Sequence, residues 1–506
     1  MNSKIHSLES LAEVLASLRS QGKRIVLCHG TFDLLHAGHL HHLREAKRQG
    51  DVLCVTVTAD RFVNKGPGRP VFNEHIRADV LASLELVDFV AINEAPTSEN
   101  VIPLLQPHVY VKGSEYATFS DDVTGNIARE AKLVERYGGK LHFTSGITFS
   151  SSELLNKYFQ VFDDDVQAYL GSLKSKYDAE SIIERIEALR SLRVAVLGEA
   201  IIDIYHYCEP MGQIGKGTAL AVKSGEEEWF AGGAIAVANH VAGFVDSVTF
   251  LTVLGGQNSQ ESFVRSKLAD NIDPIFAYAP DAPTIVKKRY VSGSEKLFEV
   301  YEYTPQPDLS QADKKIIAWL EDNASNYDLL IVPDFGNGSI SSRMVEAICQ
   351  YAPFLAVNTQ LNSANRGYHV ITRYDRADYI CLNEPELRLA THDRHGDLLA
   401  LARSVLQQLQ ARAISVTRGK AGVLSLWHGR EQRPITIPAL ASKVVDRIGA
   451  GDAFLAVSSL LVAQRAPLEI AAFVGSLAAA LDVQIVCNRE PVDPVLIKKS
   501  IITYLK

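Results

Sequence analysis

Short apolar runs rich in β-branched residues alternate with amphipathic stretches along almost the whole chain. RIVLC (24–28), DVLCVTVT (51–58), DFVAI (88–92) and HVYVKG (108–113) read as buried strands. Between them, AGHLHHLREAKRQG (37–50) and NEHIRADVLASLELV (73–87) place apolar residues three and four apart, the spacing of one helix face. Strands apolar on both faces, separated by helices, predict a parallel sheet covered by helices. This series runs to about SSSELLNKYF (150–159). Residues 161–192 are acidic and helical in pattern, and no strand interrupts them, so they read as a linker. RVAVLGEAIID (193–203) then opens a second, longer α/β series. The expected division is 1–160, a helical linker 161–192, and 193–506.

Composition narrows the function classes. Hydrophobic content of 47% and charged content of 22% over 506 residues are those of a soluble globular protein with more than one domain. The most apolar late stretch, IAAFVGSLAAAL (470–481), runs into Asp482 and is too short to span a bilayer. Glu9 and Glu13 break the apolar start, which reads as an amphipathic helix rather than a leader. A net charge of −8 without a long basic run argues against a nucleic-acid partner. Cys28, Cys54, Cys208, Cys349, Cys381 and Cys487 show no CxxC spacing and read as reduced, mostly buried thiols, which points to the cytoplasm.

Two stretches carry chemistry. GTFDLLHAGHLHHL (30–43) puts His36, His39, His41 and His42 within seven positions. Zinc is disfavoured, because HExxH is absent and no cysteine pair lies near. His41 and His42 read as exposed helix residues. His36 and His39 flank Gly38 where a strand and turn give way to a helix, and unpaired N–H groups there favour an anion. DRIGAGDAF (446–454) sets Gly449, Ala450 and Gly451 at another helix start, with Asp452 beside them. An ordinary glycine-rich turn capped by aspartate fits the same residues.

With G30-T31-F32-D33-x-x-H36-A37-G38-H39, the first unit resembles the HxGH nucleotidyltransferase superfamily. KGPGRP (65–70) is similar to a loop of heptose-phosphate adenylyltransferases, and Arg77, LELVDFV (84–90), VKGSEY (111–116) and YGGKLHFTSGITFSSSELL (137–155) follow in that family's order. The resemblance implies a Rossmann-like domain in which His36 and His39 hold the α-phosphate and its developing charge. Amides at Gly30, Thr31 and Phe32 would hold the triphosphate, and Ser150, Ser151 and Ser152 the pyrophosphate. The serines fit an ordinary helix cap equally well. Lys65, Arg69 and Lys112 are candidates for the acceptor phosphate.

Residues 193–500 resemble the ribokinase-like (PfkB) sugar kinases. The pieces are GEAIIDIYHY (198–207), FAGGAIAVANHVAGF (230–244), LIVPDFGNGSI (330–340), LNEPE (382–386), VTRGKAG (416–422) and the GAGD turn. By this resemblance Asp452 is the general base, and Gly449, Ala450 and Gly451 form the anion hole. Asn383 and Glu386 organise Mg²⁺ (or Mn²⁺) and the ATP phosphates without a dedicated metal cage. Thr417, Gly419 and Gly422 form the nucleotide loop, and Asp203, Gly232 and Gly233 face the sugar. Segments 218–233 and 284–303 become a small β lid, through which a homodimer is implied. The sequence departs from the family's substrate side at Ala236, Asn337 and Asn358.

Together the units resemble the bifunctional heptose kinase/adenylyltransferase with their order reversed. This implies two transferases acting on sugar phosphates and nucleotides (ATP, or CTP as an alternative donor), with heptose-phosphate-like substrates and no membrane partner. The departures keep an alternative open, in which one unit is active and the other senses a ligand or dimerises.

Overall fold

The computed structural model describes residues 3–63, 69–113, 126–145, 162–293, 295–363, 365, 367–429, 433–441 and 443–505. The chain divides into two compact units, residues 1–164 with 498–506, and residues 165–497.

The first unit holds a six-stranded parallel sheet. Its strands are β1 (Ile5–His6), β2 (Ile25–Gly30), β3 (Val52–Thr58), β4 (Phe89–Asn93), β5 (Val109–Lys112) and β6 (Lys140–Phe143). Their order is β1-β4-β3-β2-β5-β6. Every residue of β3 is buried, as its unbroken apolar run requires of a strand covered on both faces. The chain moves to one side of β2 through β3 and to the other through β5. The carboxyl end of β2, at Gly30, therefore lies at the switch point where such sheets open a crevice. Two short strands escape the periodicity: β1 precedes the helix Leu8–Ser20, and β6 is only four residues long.

The second unit contains β7 (Val194–Leu197), β8 (Ala200–Gln213), β9 (Leu220–Gly233), β10 (Val248–Gln257), β11 (Ile272–Pro283), β12 (Ile285–Ser292) and β13 (Glu295–Glu302). It continues with β14 (Leu329–Asp334), β15 (Leu355–Thr359), β16 (Tyr379–Asn383), β17 (Ala413–Thr417), β18 (Val423–Trp427) and β19 (Ile435–Ile437). Nine of these form the main sheet in the order β11-β10-β7-β14-β15-β16-β17-β18-β19, and β13-β12-β8-β9 form a smaller one. The helices Ala450–Ala463 and Leu468–Asp482 are apolar on nearly every side and are buried, as that composition demands.

The run 193–203 is two strands rather than one. At the break, a β-carbon on Gly198 would fall 2.7 Å from the Pro333 carbonyl oxygen, so only glycine passes here. β7 thus joins the main sheet while β8 leaves for the small one. Residues 162–192 carry two α-helices, Asp164–Lys174 and Ala179–Glu187, which bury Leu170, Leu173, Ile182 and Ile186. Among the described residues no helix is long and apolar enough to cross a membrane.

Candidate active sites

In the first unit, His36 caps the helix Ala37–Lys47: its Nδ1 accepts the Gly38 N–H at 3.1 Å. In the neutral ring the proton then sits on Nε2. The His36 and His39 rings lie 4.0 Å apart between centroids, and Phe32 approaches His39 at 5.6 Å. The connecting loop bends through left-handed backbone at Phe32 and Leu34. Asp33 anchors it, accepting the N–H groups of Val71 and Phe72 at 2.8 and 3.2 Å.

Arg77 supplies the remaining rigidity. Only 2% exposed, it donates to the carbonyls of Phe72 (2.8 Å), Thr31 (2.5 Å) and Thr58 (2.8 Å) and to Asp60 (2.6 Å). The motif order marked this arginine without a role. Its contacts make it the tie between the loops that follow β2 and β3.

Gly30, Thr31, Phe32, His36 and His39 thus cluster at the end of β2, and Arg69 lies in the electrostatic field of Asp33. Lys112 is engaged elsewhere. Its ammonium pairs with the buried Glu130 at 3.1 Å, and the same carboxylate accepts from Ser98 and Tyr110. Burial pushes the Glu130 carboxyl up, but Lys112 and Ser98 outweigh it and hold the group below its ordinary value. Lys65, Ser150, Ser151 and Ser152 lie outside the described residues. His41 is exposed as expected and donates to the Ser145 carbonyl at 2.8 Å. His42 is not exposed: it meets the Thr144 hydroxyl at 3.2 Å, and burial pushes its imidazole down to about 4.

In the second unit a cleft of about 610 Å³ gathers Asp203, Gly233, Asn383, Glu386, Thr417, Gly419, Gly422, Gly449, Ala450, Gly451 and Asp452. Gly449, with φ 102°, turns the chain into the helix Ala450–Ala463, whose first amides lack intrahelical acceptors. A β-carbon on Gly449 would lie 1.9 Å from the Asn488 Oδ1, so this turn needs glycine. Asp452 is 8% exposed. Burial, then Asp482, Asp203 and Glu386, push its carboxyl well above the ordinary range, while Lys287 opposes them.

Around it, Asp203 forms an ion pair with Arg289, which also bonds Glu299 at 2.9 Å. Gly232 lies against Asp203 rather than lining the cleft. Asn383 and Glu386 form a reciprocal helix cap: the Asn383 side chain accepts the Glu386 N–H at 2.9 Å, and the Glu386 carboxylate accepts the Asn383 N–H at 2.7 Å. Burial raises Glu386 to about 7. Gly419 and Gly422 adopt left-handed backbone in the turn between β17 and β18, where the Ile437 carbonyl leaves no room for a β-carbon on Gly422.

The three departures separate on the structure. Asn358 lines the cleft. Asn337 does not; it is buried, and its backbone and side-chain N–H groups donate to Glu199. Ala236 lines a different cavity of about 390 Å³, with Trp229, Asn239 and His240. Lys287 and Arg289 on β12 are cleft residues that motif reasoning missed. The faint signal was two cations at alternate positions of the lid segment 284–303.

Residues 191–491, more than half of the chain, match the pfkB family carbohydrate kinase model. The chain belongs to this family. Ahead of the pfkB unit, residues 27–157 match the cytidylyltransferase-like model. A curated relative, "Bifunctional protein HldE" of Aliarcobacter butzleri, is 46% identical over 142 residues, 28% of this chain and 29% of the relative. The protein of the same name from Trichlorobacter lovleyi is 36% identical over 169 residues, 32% and 33% of the two chains. The matched region spans about a third of the length of these relatives. Ribokinase from Thermotoga maritima covers 60% of this chain and 98% of its own at 19% identity, with a TM-score of 0.48.

Proposed function

We propose that this pfkB protein is a bifunctional transferase of activated-sugar synthesis. The unit from residue 193 onward phosphorylates a sugar or sugar phosphate with ATP. The first 160 residues transfer a nucleotidyl group from ATP or CTP to a sugar or polyol phosphate and release pyrophosphate. The observation that carries the kinase reading is the convergence of Asp452, the amides of Gly449 to Gly451, Asp203 and the Asn383–Glu386 cap on one cleft. Asp452 takes the proton of the acceptor hydroxyl as its oxygen attacks the γ-phosphorus, and the helix-start amides meet the charge on the transferring group. In the first unit, His36 and His39 donate to the α-phosphoryl oxygens as the acceptor phosphate attacks and pyrophosphate departs.

Mg²⁺ or Mn²⁺ carried by the nucleotide fits the donor set. Both Glu386 oxygens already accept backbone N–H groups, from Asn383 at 2.7 Å and Leu361 at 3.1 Å, so the chain offers outer-sphere oxygens rather than a closed cage. The bound ion would neutralise phosphate charge. The resemblance of KGPGRP (65–70) to a loop of heptose-phosphate adenylyltransferases supports heptose-phosphate-like substrates. Unpaired thiols support a cytoplasmic enzyme, and exposed Met211, Phe298 and Val300 on the small sheet support a homodimer through it. A sensing role for one unit is favoured by the departures at Ala236, Asn337 and Asn358, of which Asn358 lines the cleft. The deciding experiment is mass spectrometry of the products that the full-length protein forms from a panel of sugars and sugar phosphates with each nucleoside triphosphate. No phosphorylated product from any acceptor defeats the kinase reading, and no nucleotide–sugar product defeats the other.

A further inference from the structure

Among the described residues four cations line the pfkB cleft: Lys287, Arg289, Lys420 and Arg447. Lys420 and Arg447 are exposed, and Arg289 is matched by Asp203 and Glu299. Lys287 differs from all three. It is 5% exposed, and its ammonium has neither a hydrogen-bond nor an ion-pair partner among the described residues. It sits in mid-β12, opposite Asp203 of β8 and Tyr301 of β13. The strand's alternation turns Lys287, Arg289 and Val291 inward. The ammonium lies 5.3 Å from the Tyr301 ring centre and 6.0 Å from that of Phe335. Aromatic faces soften the loss of water but do not replace a counter-ion.

The surrounding charges show where its influence goes. Burial holds the Lys287 ammonium below the ordinary lysine range and Arg289 adds to this, while Asp203, Glu199 and Glu299 pull the other way. The Glu199 oxygens are held by the N–H groups of Asn337 and Ser339. Asp452, in turn, faces Asp482, Asp203 and Glu386, with the Cys381 thiol also within its field. Lys287 lines the same cleft as Asp452 and pulls its carboxyl the other way. Asp452 therefore shares its cleft with Asp203, Glu386 and one ammonium that has no ion-pair partner among the described residues.

We propose that Lys287 is the counter-charge of the phosphoryl-transfer step, holding Asp452 as a carboxylate and stabilising the acceptor oxygen while its proton leaves. The inference rests on the kinase reading. In the step, the acceptor O–H bond breaks and its proton passes to Asp452. The acceptor oxygen bonds the γ-phosphorus, and the bond from that phosphorus to the bridging oxygen breaks, releasing ADP. A phosphate carried by the acceptor is a poorer match for this ammonium. Placed there, a dianion would also meet Asp203, Glu199 and Asp452, and one ammonium does not offset that repulsion.

The test uses the full-length protein, ATP with Mg²⁺, and an ADP-release assay over neutral and phosphorylated sugars. Failure of the wild-type protein on every acceptor sinks the kinase reading itself. With wild-type turnover in hand, Lys287→Met should lower kcat on the order of a hundred- to a thousandfold, the loss typical of one removed transition-state donor. KM should change little, and the acid limb of the kcat profile should move to higher pH. Lys287→Arg should recover much of the rate and return the limb, and Lys287→Gln serves if the methionine variant does not fold. A folded neutral variant with wild-type kcat and an unmoved limb overturns the proposal. So does a loss confined to the KM of phosphorylated acceptors, which would make Lys287 a substrate-phosphate receptor.

Discussion

Gly232 lies so close to Asp203 that a β-carbon on it would fall 1.9 Å from the Asp203 Oδ2. The Asp203 carboxylate, proposed to face the sugar, therefore occupies the space of a missing side chain. Gly232→Ala should push Asp203 aside and strain its pair with Arg289. A displacement of about 1 Å at a positioning group costs roughly a hundredfold, so kcat/KM for the acceptor should fall by about that factor. KM for ATP should hardly move. Steady-state kinetics with both substrates varied checks this, and an unchanged acceptor kcat/KM counts against Asp203 as a sugar ligand.

Asp452 and His39 should separate the two activities. Asp452→Asn keeps the shape but cannot take the proton, and should lower sugar phosphorylation roughly a hundred- to ten-thousandfold. Pyrophosphate release from a supplied sugar phosphate should persist. His39→Ala should do the reverse, at a cost of about a hundred- to a thousandfold in nucleotidyl transfer. Loss of both reactions from either folded variant refutes independent sites.

Arg77→Met should disable the first unit through its loops rather than its chemistry. The substitution strands the Thr31, Phe72 and Thr58 carbonyls, and each buried group left unpaired costs about 1–3 kcal/mol. The melting transition of the first unit should drop, with nucleotidyl transfer lost below the temperature of unfolding. Arg77→Lys, which reaches one carbonyl rather than three, should restore little of either. Differential scanning calorimetry beside pyrophosphate assays reads both effects.

Acid should weaken the first unit before it reaches ordinary carboxylates. Burial holds His42 at about 4 and His29 at about 3, against an ordinary 6.5. The unfolded chain therefore binds protons first, and stability that is complete above 6.5 declines as pH falls toward 4. His42→Gln, which can still meet the Thr144 hydroxyl, should flatten part of that decline in denaturant melts between these limits. An identical slope in the variant would show that His42 is solvated.

Removing divalent metal should silence both reactions, because the cap formed by Asn383 and Glu386 offers the ion no closed site of its own. Dialysis against EDTA followed by readdition of Mg²⁺ should abolish and then restore turnover. Full activity without added metal would contradict the reading of Glu386.

Much of this architecture is local and therefore legible in the chain itself. The buried parallel strands β2 to β5 announce themselves as apolar runs, because a strand covered on both faces has no polar side to show. The GAGD turn and the histidines around Gly38 are equally local, since a helix start and its capping groups are neighbours in sequence. Tertiary structure decided what depends on partners far along the chain. Lys112 meets Glu130, Asp203 meets Arg289, and Arg77 joins loops that arrive from separate strands. None of these pairings has a sequence spacing to betray it. Alternation along β12 likewise says that Lys287 and Arg289 share a face, but only pairing with β8 and β13 turns that face inward. An ammonium there becomes unusual because the fold buries it and, among the described residues, supplies no ion-pair partner, a property of the packed surroundings rather than of the residue.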